Sequence, residues 1–377
     1  METPVTETEQ AEETTESSDP PPILNLPDPV YNYANLNLPA FFNRPDVQDQ
    51  DNEPDSNRLT DWGATLGRVL FYDKAMSLNN TIACASCHQQ EKGFADPEAF
   101  SIGFEGELTG RNSMGLTNAR YYSRGSFFWD ERATTLEEQV LMPIQDHIEM
   151  GMTLDALTQK LNSLDYYPEL FELAFGEEEV TSKRVSLALA QFIRSMVSFQ
   201  SKYDEGLMSN PPNNNRPPAS FSNFTASENL GMALFFSQRT NCATCHGSIN
   251  FVADTPFNNG LDLNSSDNGI GSISGNPRDN ALFKVNSLRN IEMTAPYMHD
   301  GRFNTLKEVI EHYNSGIQPH LNLSPQLQVR GNQGPNNIQP IRMNLTDEEK
   351  QSLVDFLKTL TDETFLNDER FNNPFIN

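Results

Sequence analysis

The chain has 377 residues, long enough for one large domain or two ordinary ones. Only 37% are apolar, and 24 prolines and 21 glycines accompany them, so part of the chain is expected in loops and tails rather than in a core. With 26 basic against 52 acidic residues the net charge is -26, a field that repels nucleic acid and anionic membrane surfaces and would attract a basic partner; no stretch nears the ~20 apolar residues of a membrane span.

Residues 1–22 carry seven carboxylates and no basic residue. They lack the positive and apolar regions of a signal peptide and read as a disordered acidic tail. If the protein works outside the cytoplasm, its export signal would lie upstream of Met1. Together with a Pro- and Asn-rich extended arm, the tail makes up residues 1–55. The run Leu66-Gly67-Arg68-Val69-Leu70-Phe71-Tyr72 predicts a short helix, and Cys84-Ala85-Ser86-Cys87-His88 follows it. Thr134-x-x-Glu137 reads as a capping box opening a helix that stops at Pro143. Over 181–199, Val185, Leu189, Phe192 and Met196 recur at helical spacing. A Pro- and Asn-rich linker is expected at 209–222.

The second half repeats the first. Thr225-x-x-Glu228 caps Leu230-Gly231-Met232-Ala233-Leu234-Phe235-Phe236, and Cys242-Ala243-Thr244-Cys245-His246 follows. The shared pattern, L-G-x-x-L-F-aromatic and then C-x-x-C-H, points to two copies of one unit, each with a short helix whose apolar face packs against the group its C-x-x-C-H segment holds. Residues 254–283 should be irregular. Helices are expected from Leu306 to Tyr313, ending near Gly316, and after the Thr346-x-x-Glu349 cap. No segment sustains a two-residue alternation. The fold class is therefore all-α, with domains at 56–208 and 223–377.

The four cysteines fall in two C-x-x-C pairs, each followed at once by histidine. C-x-x-C-H is the attachment signal of a c-type haem: both thiols bond the ring and the histidine binds iron. Zinc-ribbon knuckles usually lie 15–20 residues apart, and these lie about 155 apart. A thioredoxin-like pair does not need the histidine. A disulfide across two intervening residues is strained. Two covalent c-type haems, on Cys84 with Cys87 and Cys242 with Cys245, with His88 and His246 on iron, is the reading of the residues.

The order of further motifs carries a resemblance. After the first C-x-x-C-H come Gly110-Arg111-Asn112-Ser113, Phe128-Trp129-Asp130-Glu131-Arg132 and Pro143 with Glu149-Met150. After the second come Ser287-Leu288-Arg289-Asn290 and Thr294-Ala295-Pro296-Tyr297-Met298-His299-Asp300-Gly301. Over about residues 56–365 the chain resembles the bacterial dihaem cytochrome c peroxidase/MauG family. The resemblance implies two cytochrome-c-like haem domains with long irregular loops, hydrogen peroxide as substrate at the N-terminal haem, electrons relayed through the C-terminal one, and a periplasmic location. It implies that Glu149 moves the peroxide proton, that Gln139 lies in the same distal pocket, and that Trp129 relays charge between the haems. It further implies calcium at Asn112, Thr294 and Pro296. His147 and Trp62 match no functional position.

Two departures separate the chain from the scavenging peroxidases of that family. Phe104 stands where they carry a histidine that binds the first iron at rest. Tyr313 stands where they carry a methionine ligand of the second iron, as in MauG-like members, with His312, Met298 or Met343 as the alternatives for that ligand. Thr240 occupies the place of the tryptophan through which MauG draws electrons from its protein substrate. The expected function is a MauG-like dihaem peroxidase or oxidase fed by a protein or small-molecule electron donor. The alternatives are a conventional scavenging peroxidase and a non-enzymatic dihaem electron carrier.

Overall fold

The computed structural model describes residues 23–211, 217–329 and 337–376. The acidic tail expected at 1–22, and part of the linker expected at 209–222, lie outside the described residues.

Short helices joined by long irregular segments build the protein, and among the described residues sheet is confined to a two-residue antiparallel pair, Ile23–Leu24 with Phe375–Ile376. Two crossed helix pairs are present, one in each half of the sequence. Thr60 caps the helix Asp61–Tyr72 by accepting from the Gly63 N–H, and this helix crosses Ser182–Ser195. Thr225 and Glu228 form the predicted capping box of Ala226–Phe235, which crosses Asp347–Lys358, itself boxed by Thr346 and Glu349.

The glycine of the repeated L-G-x-x-L-F is the crossing point in both pairs. A Cβ on Gly67 would sit 2.0 Å from the Ala188 carbonyl oxygen, and one on Gly231 would sit 1.8 Å from that of Ser352. The phenylalanine of the motif meets a ring on the crossing helix in each half, Phe71 with Phe192 at 5.3 Å and Phe235 with Phe356 at 5.1 Å. The motif helix therefore packs first on a partner helix, and Phe71 also reaches the His88 ring, 6.4 Å away.

Gly231→Ala tests this crossing. Alanine would gain about 1 kcal/mol of helix propensity, but the backbone of Ser352 cannot yield, and overpacking of this kind costs about 1–3 kcal/mol or more. A net loss of stability is expected in urea unfolding of the variant. Gly110→Ala, where nothing lies within 4 Å of the added carbon, should stay within about 0.5 kcal/mol of the parent.

One capping prediction shifts by a residue. Thr135, not Thr134, caps the helix Leu136–Gln139, and the Glu138 carboxylate accepts from the Thr134 N–H and hydroxyl. Glu137 is drawn away because its carboxylate pairs with the buried Arg194 and accepts from Asn57. The helix read over 181–199 ends at Ser195, with Val185, Leu189 and Phe192 buried as expected.

Packing does not divide at the 209–222 boundary. The first core gathers Leu66, Phe71, Leu189 and Phe192, but also Tyr33 from the arm and Phe365, Leu366 and Phe371 from the far end of the chain. The second gathers Leu234, Phe235, Leu353 and Phe356, together with Phe41, Phe42 and Tyr121 and with Tyr203 and Leu207 of the helix Lys202–Ser209. Each half is completed by segments of the other. The buried pair Arg289–Asp204, at 2.8 Å, fastens Lys202–Ser209 within the second half.

Candidate active site

The two C-x-x-C-H segments fold as short helical turns, Cys84–Cys87 and Ala243–His246. One helical turn brings the first and fourth residues to one side, so each thiol pair faces a common space. All four cysteines are free and partly buried. Burial pushes the thiols of Cys84 and Cys245 up to about 12 and that of Cys87 to about 11. Thiols held neutral are poor nucleophiles for disulfide exchange, which uses thiolate. Among the described residues no three His, Cys, Asp or Glu side chains gather as a metal cluster, so the two pairs do not share a zinc site.

The histidines are prepared alike. His88 Nδ1 lies 2.8 Å from the Phe94 carbonyl oxygen and His246 Nδ1 lies 2.9 Å from that of Phe251. Donation from Nδ1 leaves the Nε2 lone pair free for a metal. Burial pushes His88 down and His246 to about 4, so both rings are neutral, the form that binds iron. Phe94 and Phe251 hold φ of 61° and 54°, a region costly for a bulky side chain. That strained turn, present in both halves, aims the carbonyl at the histidine.

A cavity of about 1610 Å³, counting its open mouth, faces the second thiol pair and His246. Trp129, Asn259, Met298 and Tyr313 share its walls. The donor set and this cavity fit a covalent haem held by Cys242, Cys245 and His246.

Beyond these common parts the two sites differ. Near Cys84 and Cys87 lies Glu149, in a turn shaped by Asp146, whose carboxylate accepts from the Ile148 and Glu149 N–H groups at 2.8 and 3.2 Å. Burial, aided by the Asp146 charge and opposed by Arg132, pushes the Glu149 carboxyl up to about 7. The backbone of Phe104 is tied to Glu149 through its N–H, at 3.1 Å. A Cβ on Gly151 would lie 2.4 Å from the Phe104 ring, which packs over that turn. Gln139 ends the helix Leu136–Gln139, partly buried. His147 is exposed, and Trp62 packs on the first core.

Trp129 stands at the seam between the sites. Its indole N–H donates to the Asn112 carbonyl at 2.8 Å. The next residue, Ser113, places its hydroxyl 3.4 Å from the His88 ring nitrogens and 3.2 Å from the Cys87 carbonyl oxygen. Asn112, Ser113 and Trp129 also line the cavity that faces His246. One stretch of backbone thus serves as a wall for both sites.

Asn112, Thr294 and Pro296 line that same cavity. The Asn112 amide nitrogen donates to the carbonyls of Glu98 and Ala99, which leaves its Oδ1 as an oxygen donor. That oxygen and backbone carbonyls are the ligand type calcium takes.

Tyr313 sits in a π-helical turn, His312–Gly316, that continues the helix Leu306–Glu311. Such turns occur often at functional sites. The phenol lies within electrostatic reach of Cys242 and Cys245, and burial pushes it up to about 12 while a hydrogen bond from Asn259 opposes the shift. His312 is engaged elsewhere, its Nε2 donating to the Asn259 carbonyl at 3.0 Å. Met298 and Met343 line the cavity. Thr240 is buried, its hydroxyl donating to the Leu234 carbonyl at 2.5 Å.

Sequence reasoning missed Asn259, the strained Phe94 and Phe251, and Arg132, whose guanidinium lies 3.5 Å over the Phe128 ring and acts on Glu149. Only Arg132 left a trace, inside the Phe128–Arg132 motif.

Comparison with known proteins places the chain in a family. Residues 62–211 match the family described as di-haem cytochrome c peroxidase. The chain is 31% identical over 328 residues to the methylamine utilization protein MauG of Methylophilus methylotrophus, covering 87% of this chain and 90% of that one. It is 32% identical over 252 residues to the cytochrome c551 peroxidase of Nitrosomonas europaea, covering 66% and 71%. The crystal structure of a MauG-like protein associated with microbial copper homeostasis superposes with a TM-score of 0.75 at 31% identity, covering 90% of this chain and 99% of that one. With two prepared histidine and thiol sites and relatives matched along most of its length, the chain belongs to the di-haem cytochrome c peroxidase/MauG family of haem oxidoreductases.

Proposed function

We propose that the protein is a MauG-like dihaem peroxidase or oxidase. Hydrogen peroxide is reduced at the N-terminal site, with electrons relayed through the C-terminal site, and one c-type haem is held covalently at each. The observation that carries this reading is the asymmetry of the two sites: a half-buried Glu149 whose carboxyl is pushed up to about 7 beside Cys84 and Cys87, and a half-buried Tyr313 beside Cys242 and Cys245.

Haem iron, when bound, supplies the redox centre for the overall conversion of peroxide, two electrons and two protons to two waters. Glu149 moves one of those protons. A carboxyl near 7 can accept a proton from one peroxide oxygen and return it to the departing one at neutral pH. Gln139 offers an amide to orient the peroxide in the same pocket. Phe104 offers no nitrogen, so the first site rests open to peroxide without prior reduction. Trp129 places a π system between the sites. Asn112, Thr294 and Pro296 hold a calcium ion that stiffens this seam. A periplasmic setting goes with covalent haem. The charge of -26 favours a basic electron donor.

The test begins with protein made alongside a c-type maturation system. Two thioether-bound haems should raise the denatured mass by about 1.2 kDa. The resting ferric protein should show a high-spin signal and react with peroxide at once. A mass without the increment defeats covalent attachment. A purely low-spin resting form that needs reduction before it reacts defeats the open first site.

A further inference from the structure

Asn259 makes contacts in the second site that no assigned role explains. Its Nδ2 lies 3.4 Å from the Met298 sulfur. Its backbone carbonyl receives the His312 Nε2 proton at 3.0 Å. One residue therefore engages two of the side chains that could compete with Tyr313 for the second iron.

The residue is also held firmly. The Gly260 N–H donates to Asn258 Oδ1 at 2.8 Å, and the Gly260 carbonyl accepts from the Gln318 N–H at 2.8 Å. The Asn258 N–H donates to Ser324 Oγ at 2.9 Å. Gly260 has φ of +69°, and a Cβ there would lie 2.6 Å from Ile317 and 2.9 Å from the Gln318 carbonyl oxygen, so no other residue fits this turn without strain. Asn259 is thus clamped to the segment just after the π-helical turn that carries Tyr313.

We propose that Asn259 is a positioning residue that selects Tyr313 over Met298 and His312 as the side chain presented to the second haem. An N–H directed at the thioether sulfur occupies the lone pair that iron would need. The carbonyl engages His312 at the nitrogen through which it would otherwise bind. The inference rests on the reading of Tyr313 as the ligand.

The test uses haem-loaded protein and reads ligation and potential rather than turnover. Methionine ligation raises a haem potential relative to an anionic oxygen ligand. In Asn259→Leu the ferric band of methionine ligation should appear in the near infrared. At fixed applied potential the ferric-to-ferrous ratio of the second haem should fall at least tenfold, or 59 mV for one electron. Adding Met298→Leu to this variant should remove the band. Asn259→Asp, which keeps the shape but replaces the donor with an acceptor, should also develop the band and serves if the leucine variant does not fold. An unchanged band region and an unchanged ratio in these variants would overturn the selection by Asn259, as would a band that persists in the double variant. Tyr313→Phe separates the two readings: a parent-like spectrum there defeats Tyr313 as ligand, whereas a changed spectrum with silent Asn259 variants defeats only the role of Asn259.

Discussion

Glu149→Gln lowers steady-state peroxide turnover by roughly 10²–10⁴-fold, the range of a positioned general base, while the absorption of both haems stays close to that of the parent. The amide matches the carboxyl in size, so the pocket is kept and the proton acceptor is lost. The pH dependence gives an independent reading. Burial pushes the Glu149 carboxyl up to about 7, and the reactive form is the carboxylate. Turnover should therefore rise as pH increases through neutrality, and this limb should vanish in the variant.

Stability should follow the opposite sign. The folded carboxyl holds its proton up to about 7, whereas the ordinary value is 4.5. The contribution of that proton is fully present below 4.5 and is lost as pH rises through about 7. Denaturant midpoints of parent and variant, compared at pH 5 and pH 8, should favour the variant at the higher pH. Equal turnover in Glu149→Gln would remove the residue from the mechanism.

The second large effect belongs to Tyr313. Tyr313→Met should raise the potential of the second haem by on the order of 0.1 V, within the span of about 0.8 V that axial ligands cover. It should also shorten the life of the peroxide-generated oxidised state, because a neutral sulfur stabilises high iron charge less than a phenolate does. Tyr313→Phe should lose the oxygen ligand and change the low-spin signal. Spectroelectrochemistry and stopped-flow mixing with peroxide read both. If the parent already shows the methionine band, or if Tyr313→Phe leaves spectrum and potential untouched, the scavenging type of peroxidase replaces the MauG-like reading.

Much of this architecture was legible because local chemistry leaves marks at fixed spacing. C-x-x-C-H announces itself, and four of the helix starts carry Thr with Glu or a helical apolar stripe behind it. The capping error at Thr134 arose where a tertiary pair overrode a local rule, Arg194 taking Glu137. The repeated L-G-x-x-L-F was visible as a repeat, but its glycine showed its purpose only once the crossing helix was in view. Asn259 could not be found in the same way. Its work is done through contacts with residues some 40 to 55 positions away, and a lone Asn before Gly in an irregular stretch reads as an ordinary turn. The left-handed Phe94 and Phe251 contradict their own propensity, so sequence rules point away from them.

The exchanged segments give the two halves of the chain different histories. Synthesis delivers Cys84, Cys87 and His88 early, yet Phe365, Leu366 and Phe371, which close the core beside them, emerge only after the second cysteine pair and its core. The first half is therefore begun first and finished last. Contacts of such sequence separation are slow to form, since the loop-closure entropy is spent before they repay it. During that interval the first thiol pair stands in an unfinished core, and removal of the residues from Phe365 onward should leave the N-terminal site unsealed rather than the C-terminal one.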